Sequence, residues 1–464
     1  MIFLIMSIKF KSILDSPAGV RYFFEKLELS SSFSRIVMLD TEMALSEHDI
    51  ACYYSELAQF SKFLVSEDIS SIEKFRLKLT GLKNIRNSLA RVAGGITPDD
   101  IEFFEIKSLA MLSEDVRVLL GNTKIDCIHL PVLSEVELIL DPDKNRITSF
   151  YIYDSYNSHL KELRKRLREH SRGVERSSAT ERIKSELILE ILSLENEIRE
   201  GLASQIAPYI SKLDESLMLL AKADILLAKA IQIERFGLII PEISGVGIYY
   251  GKLFNPEVSE ILKDEGKEFQ RIDIDFDSPL LITGANMGGK SLTLKTVALT
   301  QYLFQFGFGI PAEEASIVPV DEVFLSAGDE QDQRLGLSSF AAEMKRIDES
   351  IVALRSKKRE QRKVLILVDE PACTTNPLEG TALAKALIAI FVEQKALAVI
   401  TTHYNIDEVS CKRLRVRGFE DDEMNYMLIP DSGGDVPKEA IRIASSLGVD
   451  SEWLNRAKRI LSGE

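Results

Sequence analysis

PLLITGANMGGKSLTLKTV, residues Pro279 to Val297, decides how the rest of the chain is read. Pro279 to Thr283 is an apolar run of strand length, and Gly284 to Lys290 is a glycine-bearing turn. From Ser291 onward apolar residues recur with helical spacing at Leu294, Val297 and Ala298. Strand, turn and helix follow one another without a gap. Gly284, Gly289, Lys290 and Ser291 fit GxxxxGK[ST]. In that pattern the backbone N–H groups of the turn, here running through Ala285, Asn286, Met287 and Gly288, curl round a phosphate chain. The lysine ammonium reaches the β and γ oxygens, and the serine hydroxyl ligates Mg²⁺. Glycine is required where a Cβ would block the close backbone approach. The alternative is a glycine-rich αβ turn with a surface lysine.

Three later pieces extend this chemistry. Val364 to Val368 is a wholly apolar run ending in Asp369-Glu370. A buried parallel strand with two carboxylates at its end supplies what phosphoryl transfer needs: Asp369 to hold hydrated Mg²⁺, and Glu370 to orient or deprotonate an attacking water. Alone, such a pair would read as a surface turn. Ala396 to Ile400 is another apolar strand and ends in Thr401-Thr402-His403. An imidazole at the carboxyl end of a strand stands where ligands bind in open α/β sheets, so His403 is a candidate for the γ-phosphate. A lone histidine with a structural role is the alternative. Between these pieces lies GLSSFAAEMKRI, where Phe340, Met344, Ile347, Ile351 and Leu354 step by four, three, four and three. The spacing predicts a helix from about Ser338, whose N-terminus, with hydroxyls at Ser338 and Ser339, suits an anion. An ordinary N-cap uses the same residues.

The 464 residues suggest two or three domains, and a charged fraction of 28% with 45% hydrophobic residues suits a soluble globular protein. The net charge of −15 repels DNA at long range, so nucleic-acid binding needs a local basic patch. Cys52, Cys127, Cys373 and Cys411 are widely spaced, as expected of reduced thiols in a cytoplasmic protein and not of disulfides or a zinc site. MIFLIM at the start lacks the basic flank and length of a signal core, and no later apolar run is long enough for a membrane span.

Residues 7 to about 125 read as helical, with a break at Gly94-Gly95 and Pro98. VELIL and ITSFYIY, separated by DPDKNR, predict short strands near 134–153. Long helices follow over about 156–235, interrupted at Pro208. From Lys161 to Lys184 there are nine Lys or Arg (Lys161, Arg164, Lys165, Arg166, Arg168, Arg172, Arg176, Arg182, Lys184) against four Glu. This patch reads either as a contact for a phosphate backbone or as a solvated face; without interleaved aromatics, the solvated face is the preferred reading. After Pro241 strands, glycine turns and helices alternate, as in an α/β domain. The expected division is therefore 7–236, an all-α core and lever, and 237–464, an α/β P-loop NTPase domain with C-terminal helices.

GANMGGKS, LSSFAAEM, LVDEP and TTHY, in this order and spacing, resemble the ATPase domain of the MutS family, a branch of the ABC-type ATPases. The tail IRIASSLGVDSEWLNRAKRIL is similar to the closing helices of that family, and the helical half to its core and lever. The resemblance implies a homodimer or a heterodimer with a second MutS-like subunit, using ATP and Mg²⁺. Lys290 and Ser291 of one subunit would face Ser338 of the other, with Glu370 and His403 acting in cis and Asn286 touching phosphate. Phe269 is a candidate for stacking on adenine, a core phenylalanine being the alternative. The chain has nothing that matches the mismatch-reading domain of the repair members. Its DEPACTTNPLEGTALAKAL differs from their glycine- and arginine-rich loop and resembles a MutS-like branch linked to reactivation of adenosylcobalamin-dependent lysine or ornithine aminomutases. Cys373 stands where that branch tends to carry arginine. Two outputs follow: remodelling of an aminomutase client, which is favoured, or action of a DNA-binding MutS homologue on mismatched or branched DNA.

Overall fold

A computed structural model describes residues 8–172, 178–284, 289–327, 339–355, 363–404, 406, 410–420, 423–431, 440–446 and 448–462. The chain divides into two compact units. One comprises residues 1–28, 41–58 and 229–464, the other residues 29–40 and 59–228.

The α/β unit is built on a six-stranded sheet. Its elements in chain order are β1 (Leu280–Thr283), α1 (Lys290–Gln305), β2 (Glu322–Ser326), α2 (Ser339–Arg355), β3 (Val364–Asp369), α3 (Pro377–Glu393), β4 (Leu397–Thr402), β5 (Lys412–Glu420) and β6 (Glu423–Pro430). The sheet order is β6-β5-β1-β4-β3-β2, parallel throughout except for the antiparallel β5–β6 hairpin. All four residues of β1 and the first five of β3 are buried, as expected of strands covered on both faces by crossover helices. Ile366, Val368, Ile388, Phe391, Ala398 and Ile400 form the core between β3, β4 and α3. A smaller four-stranded sheet is made by Glu242–Ile243, Glu314–Ile317, Ile248–Leu253 and Ile272–Phe276.

The division found here departs from a single cut at residue 236. Residues 8–28 and 41–58 belong with the α/β unit because their aromatic side chains complete its core. The Phe10 ring lies 5.0 Å from Phe306 and 5.6 Å from Phe308, and Phe23 lies 5.7 Å from Phe308. Tyr54 donates its hydroxyl proton to the Phe308 carbonyl at 2.9 Å, and Ala44 N–H donates to the Gln305 carbonyl at 3.0 Å. Spacing within a short helical segment reveals its period but not the sheet-bearing partner it will meet.

The other unit is helical. Its helix Asp100–Leu120 opens with a capping box: the Asp99 carboxylate accepts from Glu102 N–H, and the Glu102 carboxylate accepts from Asp99 N–H. The long helices Ser178–Ile206 and Ile210–Phe236, the second of which belongs to this unit as far as Ala228, are separated by a single 3₁₀ turn, Ala207–Tyr209, at the expected Pro208.

The strands expected near 134–153 are not there. Ser134–Leu140 is a helix, and no strand lies in residues 141–157. Leu133, Val136 and Leu140, spaced by three and four, are all fully buried, so helical spacing overrides the β preference of VELIL. ITSFYIY is fixed by side chains instead of a ladder. Tyr153 donates to Asp141 at 2.7 Å, and the buried Lys107 ammonium donates to Asp141, the Ser149 carbonyl and Tyr153.

Candidate nucleotide site

Strand register brings the chemistry together. Thr283 at the end of β1 pairs with Thr402 at the end of β4, and Asp369 at the end of β3 pairs with Thr401. The three strands therefore finish flush, and Gly284, Glu370 and His403 all leave the sheet at its carboxyl edge, where open α/β sheets bind ligands. Gly284 has φ +143°, and a Cβ there would stand 3.1 Å from Val416 on β5. Gly289 has φ +73° and caps α1; a Cβ would stand 3.2 Å from the Tyr426 ring. Both ends of the turn are thus closed to side chains. Ala285, Asn286, Met287 and Gly288 lie outside the described residues.

Lys290 opens α1 and is only 4% exposed. Its ammonium donates to the Gly284 carbonyl at 2.8 Å and stands 3.1 Å from Glu370 Oε1. The other carboxylate oxygen, Glu370 Oε2, lies 3.2 Å from His403 Nδ1. A buried ammonium needs compensation of this kind, since desolvation of an unpaired charge is prohibitive. The result is a chain of lysine, carboxylate and imidazole along the sheet edge.

Thr401 holds the Asp369 carboxylate and the Glu370 backbone. Its hydroxyl donates to Asp369 Oδ1 at 2.5 Å, while its carbonyl and hydroxyl oxygens each accept Glu370 N–H at 3.1 Å. Ser291 is exposed on the first turn of α1. Ser338 lies outside the described residues, and Ser339 enters only as the first residue of α2.

Several contributors were not singled out from the sequence. Thr401 carries no signal in the sequence beyond its place at the end of an apolar strand. Tyr404 donates its hydroxyl proton to the Ala372 carbonyl at 3.1 Å, and Glu343 on α2 accepts Ala372 N–H at 2.8 Å. Partial burial, with the carboxylates of Glu343 and Glu370 nearby, pushes the Cys373 thiol above its ordinary range, so it stays a neutral thiol. Phe269 is half-buried. Its neighbour Gln270 accepts Tyr426 N–H at 2.7 Å, so the segment carrying Phe269 pairs with β6, whose Tyr426 ring lies against Gly289. Tyr426 thus places a ring beside the turn.

The residue types fit Mg²⁺ and a nucleoside triphosphate. The buried Lys290 ammonium stands at the Gly284 carbonyl and Glu370, beyond the end of β1, and Asp369 at the end of β3 and Ser291 on the first turn of α1 are hard oxygen donors of the kind Mg²⁺ takes.

Residues 280–459 match the sequence model of MutS domain V. Among curated proteins, the chain is 28% identical over 455 residues to an Endonuclease MutS2 of Caldicellulosiruptor saccharolyticus, covering 82% of this chain and 56% of that protein. It is 32% identical over 285 residues to Endonuclease MutS2 of Enterococcus faecalis, covering 57% of this chain and 33% of the relative. With Endonuclease MutS2 of Finegoldia magna it shares 37% identity over 193 residues, 40% of this chain and 24% of the relative. The chain thus spans about half, or less, of the length of these relatives. Together the comparisons show that the second half of the chain is similar in sequence to MutS domain V.

Proposed function

We propose, starting from the MutS domain V match, that this protein is a Mg²⁺-dependent ATPase whose nucleotide cycle drives a conformational change on a nucleic-acid partner. The observation that carries the ATPase reading is the Lys290–Glu370–His403 chain at the carboxyl edge of a parallel sheet. Lys290 would hold phosphate oxygens and offset charge that develops during transfer. Glu370 would turn from Lys290 to orient water for in-line attack, and His403 would hold the γ-phosphate or position Glu370. Ser291 and Asp369 would hold Mg²⁺, which when bound neutralises phosphate charge. The N-terminus of α2, with Ser338 and Ser339, would meet the nucleotide of a second MutS-like subunit, of the same chain or a related one. Phe269 and Tyr426 are the rings available to the base.

The relatives support DNA over a cobalamin-dependent aminomutase as partner, because an endonuclease acts on nucleic acid. This reverses the order in which the sequence placed the two. Cleavage itself is not carried over from relatives that the chain covers only in part. The helix Ser158–Arg172 supplies exposed cations at Lys161, Lys165, Arg166 and Arg168.

The test is ATP hydrolysis by the purified protein with and without heteroduplex and branched DNA, alongside Glu370→Gln. The expected result is turnover stimulated by DNA. Glu370→Gln should lower turnover by about a hundredfold or more while retaining ATP and shifting the protein toward a dimer in sedimentation. Wild-type protein that neither binds nor hydrolyses ATP would sink the reading. Turnover indifferent to DNA would remove the nucleic-acid partner and restore the aminomutase client as the next to try.

A further inference from the structure

The turn after β3 holds two non-glycine residues in the left-handed region: Glu370 at φ +45° and Ala372 at φ +58°. Side chains disfavour that region, and such residues persist only where surrounding contacts over-determine them. Ala372 is fully buried, so both its peptide groups need partners. Neither is served by the sheet. Its N–H is taken by Glu343 Oε1 at 2.8 Å and its carbonyl by the Tyr404 hydroxyl at 3.1 Å. Cys373 N–H closes the turn on the Glu370 carbonyl at 3.3 Å. Gly380 on α3 leaves room for this arrangement, because a Cβ there would stand 2.8 Å from the Ala372 carbonyl and 2.5 Å from the Tyr404 hydroxyl.

We propose that Glu343 is a positioning residue for the catalytic carboxylate: by accepting Ala372 N–H it holds the 370–373 turn in the geometry that aims Glu370 at Lys290 and His403. The inference rests on the ATPase reading above. Glu343 lies just over one helical turn into α2, the helix whose N-terminus is expected to meet the second subunit's nucleotide. A displacement of α2 would therefore be felt at Glu370 through one hydrogen bond. Burial raises the Glu343 carboxyl above its ordinary range, against the pull of Ala372 N–H and Arg346. A carboxyl in that setting is one that a neutral amide of the same length replaces well, and the hydrogen-bond acceptor is what the turn uses.

Steady-state ATP hydrolysis and binding of a fluorescent ATP analogue, measured on the full chain carrying Glu343→Ala, Glu343→Gln or Glu343→Asp, test this. Glu343→Ala lowers kcat about tenfold or more with KM and nucleotide affinity within about twofold of wild type. Glu343→Gln keeps the acceptor and retains at least about half the activity. Glu343→Asp keeps the charge but withdraws the oxygen by one methylene, and loses activity. Unchanged kcat in Glu343→Ala, a loss confined to KM, or Asp outperforming Gln overturns the proposal. If the alanine variant does not fold, the order of Gln over Asp decides alone. Wild-type protein without turnover sinks the ATPase reading itself, whereas active wild type with Gln no better than Asp sinks only the role of Glu343.

Discussion

Lys229 and Lys290 are both buried lysines, compensated in different ways. Lys290 has the Glu370 carboxylate at 3.1 Å. Lys229 donates to the Phe306 carbonyl at 2.6 Å, just past the end of α1, and lies 4.2 Å from the centre of the Phe308 ring. Burial pulls its ammonium down from 10.5 to about 7, with the Glu56 carboxylate opposing the shift. The folded pKa lies below the unfolded one, so between about 7 and 10.5 the unfolded chain binds more protons. Stability linked to Lys229 should thus rise with pH across that window, by at most about 1.4 kcal/mol per unit, and be lost as pH falls through the folded value. Lys229→Met should flatten the rise, measured as urea midpoints at pH 7, 8 and 9 (about one-unit steps); parallel slopes for the two proteins would refute the assignment. Lys290 could be singled out in the sequence because it sits in a fixed spacing of glycines, GxxxxGK[ST]. Lys229 could not be, because a lysine in an otherwise apolar helical repeat reads as its solvent face, and only tertiary packing tells otherwise.

Single elements show why some segments declared themselves and others did not. VLILV, five apolar residues ahead of two carboxylates, reads as a strand buried on both faces, and it is β3. VELIL differs from it by one glutamate, Glu137, yet its register with Leu133 gives helical spacing, and the burial of Val136 and Leu140 decides the outcome. ITSFYIY looks like a strand but lacks a neighbour to pair with; the polar cluster of Lys107, Asp141 and Tyr153 holds it instead. Helix α3 carries a prediction at this scale. In an ordinary helix Gly→Ala gains about 1 kcal/mol. At Gly380 the new Cβ would meet the Ala372 backbone carbonyl at 2.8 Å, and overpacking against backbone costs about 1–3 kcal/mol. The clash should win, so Gly380→Ala should lower the thermal midpoint and slow turnover together. A variant more stable than wild type would show that the turn yields freely.

At the scale of the whole molecule, the −15 net charge and the basic patch pull in opposite directions, and local geometry decides which cations are available. Arg164 is bound up, donating to Asp154 at 2.6 Å, Glu195 at 2.7 Å and the Ile152 carbonyl at 2.8 Å. Arg182 and Lys184 pair with Glu186 and Glu181. Lys161, Lys165, Arg166 and Arg168 remain exposed on Ser158–Arg172, the last three within four residues of one another. Replacing these three by alanine should weaken DNA binding and lower the slope of log affinity against log salt by up to about 2.7, at about 0.9 per phosphate released. An unchanged slope would return the patch to a solvated face. Among the described residues no helix is long and apolar enough to cross a membrane. The two-unit division was legible only in part, because the sequence marks where α/β texture begins but not that residues 8–28 and 41–58 join it. That membership bears on how the protein is made. Phe23 and Phe308 meet across 285 positions of chain, so a ribosome adding about 5–20 residues per second leaves the first aromatic cluster waiting about 15–60 s for its partner. Meanwhile the helical unit, complete by Ala228, is free to fold first, and the early phenylalanines are a sticky surface that a nascent-chain chaperone is suited to shield.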